Sequence, residues 1–340
     1  MAKEAEKILL RQLYIQRYAK HVSNEALLAY ADLEKDLLHL FRQFEKNASA
    51  ADLQAFKYAR LSNKRVKALH KAVDDLFTGI VDNISVITSQ QLYLFADAET
   101  AFTQKVLGGA IKNILAPEKI VKQPVMGETI MGGWKHVSTA GSKMIWRDAI
   151  RAAQDSQPLT AFIEGSSAAG YRDGSIAKIS RQIDTLATTQ VNGVASNTRQ
   201  EVYKKAHVSE VLVVATLDFR TTPICRHRDG KHYGLGKAPQ PPYHYSCRTV
   251  LVPYAGKGIE RPFVSDSRIV AKIPKDERKG KIGRTKLTYK DWFAQLPTKH
   301  QKEVLGPARL KLYQDGVPLS KMVDQKTGKQ YTLAELAKII

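Results

Sequence analysis

The 340-residue sequence predicts an α+β fold that is mostly α. Its N-terminal segments place apolar side chains three and four residues apart, which is the spacing of a buried helix face. Two later segments, 211–217 and 249–252, are instead continuous and rich in β-branched residues, as in buried strands. We therefore expect an N-terminal hairpin or bundle of long helices, then a helical segment leading into a small loop-rich β module, and finally a basic arm with short C-terminal helices.

Residues 1–115 are predicted to form the helical hairpin or bundle. The first helix covers 5–45, and a second long helix follows a short polar turn. In that turn Ser49 and Asp52 have the spacing of a capping box at a helix start. The apolar seams of the two helices are Tyr30, Leu33, Leu37, Leu40 and Phe44, then Val66, Leu69, Val73, Leu76, Ile80, Ile84 and Ile87. Such narrow seams are typical of core packing between antiparallel helices.

Basic residues are concentrated around the start of the second helix, with no acidic residue from 60 to 71. They are Arg60, Lys64, Arg65, Lys67 and Lys71. A solvated helix face explains this pattern, and so does a surface that contacts nucleic-acid phosphates or an acidic partner. The sequence alone leaves both interpretations open.

Residues 116–207 are predicted to be the helical segment that leads into the β module. Prolines and glycines over 116–145 indicate a boundary between helical segments. Helix is expected again over 143–206, interrupted around Pro158 and the glycines that follow it. The last part, 183–206, should be one long helix.

Residues 208–256 are predicted to be the small β module. Its two strands could pair, and they enclose a loop-rich insertion, 218–248. This insertion contains both cysteines and three of the nine histidines of the chain. The dipeptide Asp229-Gly230 is typical of a tight turn, so the insertion is expected to include a small hairpin.

Residues 257–288 are predicted to be an extended basic arm. Such arms bind nucleic acid or pack along neighbouring subunits, and a solvated linker is the alternative. The basic residues that would make contact are Lys272, Lys275, Arg278, Lys279, Lys281, Arg284 and Lys286.

Residues 289–340 are expected to form a separate compact C-terminal unit. Two short helices are predicted, Asp291 to Leu305 and Pro307 to Asp315. Proline is favourable at the first turn of the second helix, because the backbone N–H that it lacks would have no partner there.

The charge balance predicts a polyanionic partner. The chain has 53 lysines and arginines against 33 acidic residues, a net charge of +20. Nucleic acid, an acidic protein surface or a membrane surface would each suit it. No segment approaches the roughly 20 apolar residues that a membrane span needs. The charged N-terminus lacks the apolar core of a signal peptide, so we expect synthesis in a cytoplasm. Two cysteines fit such a reducing compartment, where a disulfide between Cys225 and Cys247 would be unusual.

The cysteines and histidines of the insertion are candidate metal ligands. Zinc could be bound by Cys225, His244 and Cys247, with His227 or His232 as the fourth ligand. In the alternative interpretation His244 and Arg248 bond to backbone groups and to Asp229, and the cysteines are small buried hydrophobes. Our sequence-based prediction is the second interpretation, with no cofactor.

Two catalytic hypotheses can be written for the same residues. Cys225 with His244 could be a nucleophile and its base, and Asp229 with His244 could belong to a metal-dependent nuclease. Neither pair has a third partner in the sequence, and no glycine-rich phosphate-binding motif is present. We therefore predict that the chain is not an enzyme.

The insertion resembles the signature of the phage Mu protein F-like, or phage head morphogenesis, family. The matching residues are Asp218, Arg220, Thr221, Cys225, Asp229, Gly230, Lys231, Pro242, His244, Cys247 and Arg248. A helix before the first strand is also typical of the family. The tail is similar to a segment that often follows this module, through Trp292-Phe293, the stretch 305–309, Asp324-Gln325 and the stretch 332–336. The resemblance covers about residues 110–340.

The resemblance implies a structural minor head protein of a tailed phage. Such a protein is made in the host cytoplasm and lies inside the virion head, near the portal vertex. Its implied partners are the portal protein, the major capsid protein or other head proteins, and double-stranded DNA, with no membrane. It would act in head assembly, genome packaging or ejection. A stand-alone nucleic-acid-binding protein and a metal-dependent nuclease or toxin-like enzyme are the alternatives.

The sequence departs from the family pattern at two positions. Many relatives have a second cysteine near each of the two found here, and Thr222 and Thr249 stand at those places. A site with four thiolate ligands is therefore excluded.

Overall fold

The computed structural model of the chain describes residues 2–165, 173–256, 259–263, 283–324 and 326–340. Most of the predicted basic arm lies outside these residues. The arm residues outside them are Lys272, Lys275, Arg278, Lys279 and Lys281. The side chain of Arg284 is not described either, whereas Lys286 is described and exposed.

The predicted α+β fold with mostly helical content is confirmed. The helices before the sheet are α1 Ala2–Asn47, α2 Ala50–Lys57, α3 Lys64–Val106, α4 Pro117–Val121, α5 Ile130–Gln154, α6 Ala161–Glu164 and α7 Ser175–Lys205. The later elements are β1 Glu210–Val214, α8 Pro223–Arg228, β2 His232–Gly234, β3 Val250–Pro253, β4 Arg261–Phe263, β5 Gly283–Thr285, α9 Tyr289–Ala294, α10 Thr298–Leu305, α11 Pro307–Gln314 and α12 Leu333–Ile339. Among the described helices, none combines the length and the apolar composition that crossing a bilayer requires.

The chain divides into two compact units that alternate along the sequence. The helical unit comprises Arg17–Asp97 and Ala116–Val194. The β-containing unit comprises Met1–Gln16, Ala98–Leu115 and Ala195–Ile340. Three of the unit boundaries fall inside α1, α3 and α7, whereas the fourth, between residues 115 and 116, lies between α3 and α4 and coincides with a segment boundary predicted from sequence.

The connection between α1 and α3 differs from the predicted short turn, because it contains the extra helix α2. The predicted capping box is present at its start. The Ser49 side chain accepts from the backbone N–H of Asp52, and the Asp52 carboxylate accepts from the Ser49 N–H. These two bonds satisfy backbone donors that a helix start leaves unpaired.

The buried face of the helical unit follows the predicted seams only in part. In α3 the core side chains after Val73 are Phe77 and Val81, while the predicted Leu76 and Ile80 are half-buried. The reason lies on α5, where a Cβ atom added at Gly141 would be 2.5 Å from Phe77 Cε1. Glycine therefore admits the Phe77 ring, and the core face rotates by one residue.

The glycines within 116–145 do not mark a boundary between helices throughout, as was predicted, because several of them lie inside a helix. Helix α5 begins with Thr129 as its N-cap and runs through Gly132, Gly133 and Gly141. A Cβ atom at Gly133 would lie 3.0 Å from Leu186 of α7. These glycines permit close helix packing, so they do not end the helix here, although each costs some helix stability.

The sheet of the β-containing unit has the strand order β2-β1-β3, and both pairs are antiparallel. The predicted pairing of the two long strands is confirmed, with Val211 opposite Pro253 and Val214 opposite Val250. Tyr203 of α7 is fully buried against this sheet and donates to the Leu251 carbonyl over 3.1 Å.

The tail packs differently from the separate unit that the sequence suggested. Its buried Tyr289, Trp292 and Phe293 share one core with Leu217 and Phe219, which follow β1. The segment predicted as one helix, Asp291 to Leu305, is two helices, α9 and α10. Pro297 precedes α10 and has no N–H to continue the first helix.

Candidate metal centre

A short helix and a tight turn position the cysteines and the histidine of the insertion. Cys225 lies in α8, which begins at Pro223. His244 and Cys247 lie in a turn in which the Cys247 N–H donates to the His244 carbonyl over 3.2 Å. Ser246 has a φ of +56°, so the chain reverses there and leads directly into β3.

The three side chains come together as the sequence suggested. Cys225 Sγ lies 3.1 Å from His244 Nε2 and 3.7 Å from Cys247 Sγ. All three ligand atoms lie within 4.8 Å of one another, so the group could hold a metal ion. Both cysteines are buried, and His244 is half-buried.

The spacing of the sulfur atoms suits a tetrahedral ion. Two thiolates at the usual Zn–S distance of about 2.3 Å and a tetrahedral angle would lie about 3.8 Å apart. The imidazole orientation is suitable too, because His244 Nδ1 donates to the Tyr245 carbonyl over 2.7 Å. In the neutral imidazole this bond keeps the proton on Nδ1 and leaves Nε2, 3.1 Å from Cys225 Sγ, able to bind a metal, an arrangement typical of metal-binding histidines.

The pKa values of the two thiols are shifted in opposite directions. The hydrogen bond from Cys225, and then the interaction with His244, lower the pKa of Cys247 well below its usual range. The hydrogen bond to Cys247, together with burial, raises the pKa of Cys225. Burial lowers the pKa of His244, but the hydrogen bond and charge of Cys247 outweigh it and the pKa is raised. One thiolate is thus stabilised by its neighbours, and a bound cation would favour the second.

The two histidines predicted as a fourth ligand lie elsewhere. His227 Nε2 is 2.7 Å from Lys231 Nζ, from which it can accept a hydrogen bond. The ring of His232 packs against that of Tyr254, with centroids 5.0 Å apart. Within the described residues, the ligand group therefore contains three side chains rather than four.

Thr222 and Thr249 lie beside the cysteine group. Both hydroxyls act on the Cys225 thiol, in the direction of lowering its pKa. The positions at which the family pattern has further cysteines are therefore close to the candidate metal position.

Asp218 and Arg248 form a bidentate pair next to the centre. Arg248 Nη1 lies 2.5 Å from Asp218 Oδ2, and Nη2 lies 3.0 Å from Oδ1. Asp218 also accepts from the Arg220 N–H and the Thr221 hydroxyl. The sequence-based prediction that Arg248 bonds to Asp229 is therefore wrong. Asp218 follows β1 and Arg248 precedes β3, and antiparallel pairing brings these two ends together.

Asp229 bonds instead to Arg261, a residue outside the sequence motif. Arg261 Nη1 lies 2.9 Å from Asp229 Oδ1, and both side chains are almost fully buried. Asp229 also accepts from the backbone N–H groups of Ala215 and Tyr289, each over 2.6 Å. A buried carboxylate needs such donors, but no sequence spacing indicates which arginine supplies them.

The other motif residues have local structural roles. Gly230 has a φ of +78°, and its N–H donates to the Val213 carbonyl, so it closes the turn before β2. Pro242 follows a cis peptide bond from Pro241. Arg220 is exposed, and its backbone N–H donates to Asp218.

The structure gives little room for the catalytic hypotheses. Cys225 is in contact with His244, but the thiol is only 2 % exposed. The Asp229 carboxylate is occupied by Arg261 and two backbone donors, and it is not in the ligand group. A substrate would have to displace Arg261 and the backbone donors to reach the Asp229 carboxylate. It would have to open the surrounding packing to reach the Cys225 thiol.

The basic residues near the start of α3 are all exposed. Three of them have contacts inside the chain. Arg65 pairs with Asp52, Lys71 pairs with Asp75, and the Arg60 guanidinium lies over the Tyr58 ring. The ammonium groups of Lys64 and Lys67 have no bonded partner among the described residues. They are therefore the better candidates for contact with phosphates.

Comparisons with models of known protein families, with curated proteins and with solved structures found no match to this chain.

Proposed function

We propose that the chain is a structural minor head protein of a tailed phage, bound near the portal vertex and in contact with packaged DNA. One observation carries the proposal. The residues that resemble the head morphogenesis signature bond mainly to one another and to the backbone of the same unit. Asp218 pairs with Arg248 in this way, and Asp229 accepts from the backbone N–H groups of Ala215 and Tyr289 as well as from Arg261, which is not part of the signature. This arrangement favours a structural role over catalysis.

The charge of the chain supports the DNA contact. A protein inside a filled head lies beside concentrated phosphate, and a net charge of +20 suits that environment. Lys64 and Lys67 are exposed cations without a bonded partner in the described part of the chain. They would contact the DNA backbone rather than base edges, without sequence preference.

The decisive experiment is copurification with portal protein. Particles are disrupted, and the portal is isolated under conditions that remove DNA. We expect this chain to remain with the portal at a fixed ratio. If the portal fraction lacks it while the chain binds DNA alone, the second candidate is supported instead, a stand-alone nucleic-acid-binding protein. The two exposed lysines are the observation that favours that candidate.

DNA binding has a separate test. The affinity of the purified chain for duplex DNA should fall steeply as salt rises, because bound counterions are released. The double variant Lys64→Glu/Lys67→Glu should weaken binding and flatten the salt dependence. Lys71→Glu is the control, since Lys71 already pairs with Asp75. An affinity unchanged between low and high salt would contradict the phosphate contact.

We further propose that the metal held by Cys225, His244 and Cys247 is zinc. Two thiolates and one imidazole are the donor set that zinc prefers, and three protein ligands leave one coordination position for water. This proposal replaces the sequence-based expectation of no cofactor, and it rests on the sulfur spacing and the orientation of His244. The ion would link α8 to the turn before β3.

Elemental analysis tests the zinc proposal. The chain purified without chelator should contain about one zinc per molecule. Cys247→Ser should lose it, whereas the control His232→Ala, outside the ligand group, should keep it. Absence of zinc from the unmodified chain, even after incubation with zinc under reducing conditions, would contradict the proposal.

A further inference from the structure

A groove lies between α1 and α3 of the helical unit. Its volume is about 790 Å³. Its floor includes Leu40, Leu76 and Ile80, which the sequence analysis assigned to the core. The structure leaves these three side chains half-buried. Apolar side chains that the fold leaves partly exposed along a groove are typical of a surface that another molecule covers.

The rim of the groove is acidic, although the chain as a whole is strongly basic. Asp32, Asp36 and Asp75 line it, and all three are exposed. Asp75 pairs with Lys71. Asp32 and Asp36 have no bonded partner within the described part of the chain. On a molecule with a net charge of +20, such a rim attracts cationic groups locally and selects against acidic ones.

Gly79 supplies an independent observation. It lies in the interior of α3, a 43-residue helix, and it lines the groove. A Cβ atom added there would meet nothing within 4 Å. Glycine in a helix interior lowers stability relative to alanine, and packing among the described residues gives no reason for it. The close approach of a partner's main chain or side chain would give one.

The apolar surface continues along the same helix faces beyond the groove. Leu28 lies one turn before Asp32 on α1, and Val86 lies two turns after Gly79 on α3. Their side chains are 66 % and 55 % exposed. From Leu28 to Gln43 the α1 face extends over roughly 22 Å, which is the length of about four helical turns.

We propose that this groove docks an amphipathic helix of a partner protein, with an apolar face flanked by lysine or arginine. The apolar side chains of the partner would lie on Leu40, Leu76 and Ile80, close to the backbone at Gly79. Its basic side chains would pair with Asp32 and Asp36. Helix-in-groove recognition has this pattern of apolar anchors at helical spacing. The proposal depends neither on the assignment as a head protein nor on the metal.

A pair of synthetic helical peptides tests the charge rule with the full chain. Both have about 16 residues with leucine at helical spacing, and the remaining positions are lysine in one and glutamate in the other. Fluorescence anisotropy measures their binding. The net charge of +20 favours the glutamate peptide, whereas the groove favours the lysine peptide. We expect the lysine peptide to bind more tightly, and more weakly as salt rises.

Variants locate the binding site. Gly79→Leu should reduce affinity for the lysine peptide at least about tenfold, because the new side chain fills the floor. Thr78→Leu is its control, since Thr78 is an exposed neighbour outside the groove. Asp36→Lys should weaken binding about fivefold, as expected for one exposed ion pair. Asp97→Lys makes the same charge change at an exposed position of α3 outside the groove and should have no effect.

Three outcomes would overturn the proposal. One is tighter or equal binding of the glutamate peptide, and another is a Gly79→Leu variant that binds the lysine peptide like the unmodified chain. The third is dimerisation of the purified chain that Gly79→Leu abolishes in sedimentation velocity. In that case a second copy of the chain is the occupant. Circular dichroism of each variant shows that lost binding is not lost folding.

Discussion

Carboxylates of the β-containing unit and of the helical unit are in opposite situations. Asp218 and Asp229 are buried, and arginines together with backbone or hydroxyl donors satisfy them. Asp32 and Asp36 are exposed at the rim of an apolar groove and have no bonded partner among the described residues. The first pair holds the chain together, and removing either should unfold part of it. The second pair is exposed and should contribute little to folding, and we propose that it acts in binding.

Replacement of Asp229 should have the largest effect on stability. Asp229→Ala would leave the buried Arg261 without a counter-charge and two backbone N–H groups without an acceptor. We expect a loss of about 3–5 kcal/mol in the free energy of unfolding, measured by urea denaturation of the full chain. The control Asp32→Ala, at an exposed position, should change it by less than about 0.5 kcal/mol. Equal effects of the two variants would remove the distinction between the two classes of carboxylate.

Asp218→Asn should have the next largest effect. The amide keeps the shape of the side chain but loses the charge that both Arg248 nitrogens bind. We expect the free energy of unfolding to fall by about 2 kcal/mol, because Arg248 is partly exposed and water can replace some of the lost contact. The matching change on the groove, Asp36→Asn, should be nearly neutral in the same assay. A neutral Asp218→Asn would mean that the pair does not stabilise the β-containing unit.

Substitutions of two glycines in the helical unit should change its stability in opposite directions. Gly79→Ala should raise the free energy of unfolding by about 0.5–1 kcal/mol, because the added methyl group meets open space and favours the helix. Gly141→Ala should lower it, since its Cβ would lie 2.5 Å from Phe77. Thermal unfolding of both variants provides the measurement. A destabilising Gly79→Ala would show that the groove is closed by the chain itself.

Asp52 should show the smallest effect and a dependence on pH. Its bonds to Asn63 and Ser49 lower its pKa below the ordinary value. The stabilisation is therefore complete above the unfolded-state pKa, about 3.9, and is lost as pH falls toward the folded-state pKa. Asp52→Asn should lower the thermal midpoint at pH 7, and the gap to the unmodified chain should narrow below pH 4. A gap that does not change between pH 7 and pH 3 would argue against a charged capping box.

The sequence predicts the elements well where one local rule decides them. The capping box at Ser49 needs only a three-residue spacing, and the pairing of β1 with β3 needs only two β-branched segments. The choice between Leu76 and Phe77 as core residue is different. Spacings of three and four fit two adjacent stripes of α3, and Gly141 on another helix decides between them.

The candidate site shows the same limit. The amino-acid composition of the insertion indicates Cys225, His244 and Cys247 as candidate ligands, and the structure places them together. That neither His227 nor His232 joins this group could not be predicted from sequence, because it depends on the contacts of His227 with Lys231 and of His232 with Tyr254. Arg261 could not be found either, since it lies 32 residues from Asp229 and no spacing rule connects them.

The donors to Asp229 become available one after another as the chain is synthesised. Its acceptors are filled by the N–H of Ala215, then by Arg261, then by the N–H of Tyr289, which lies 60 residues downstream. At about 5–20 residues per second, a ribosome needs several seconds to deliver that last donor. Until then Asp229 lacks one of its donors, and the core around Leu217 and Phe219 lacks Tyr289, Trp292 and Phe293. A nascent chain interrupted before Tyr289 would therefore expose this core to proteases, whereas one interrupted just after α12 would not.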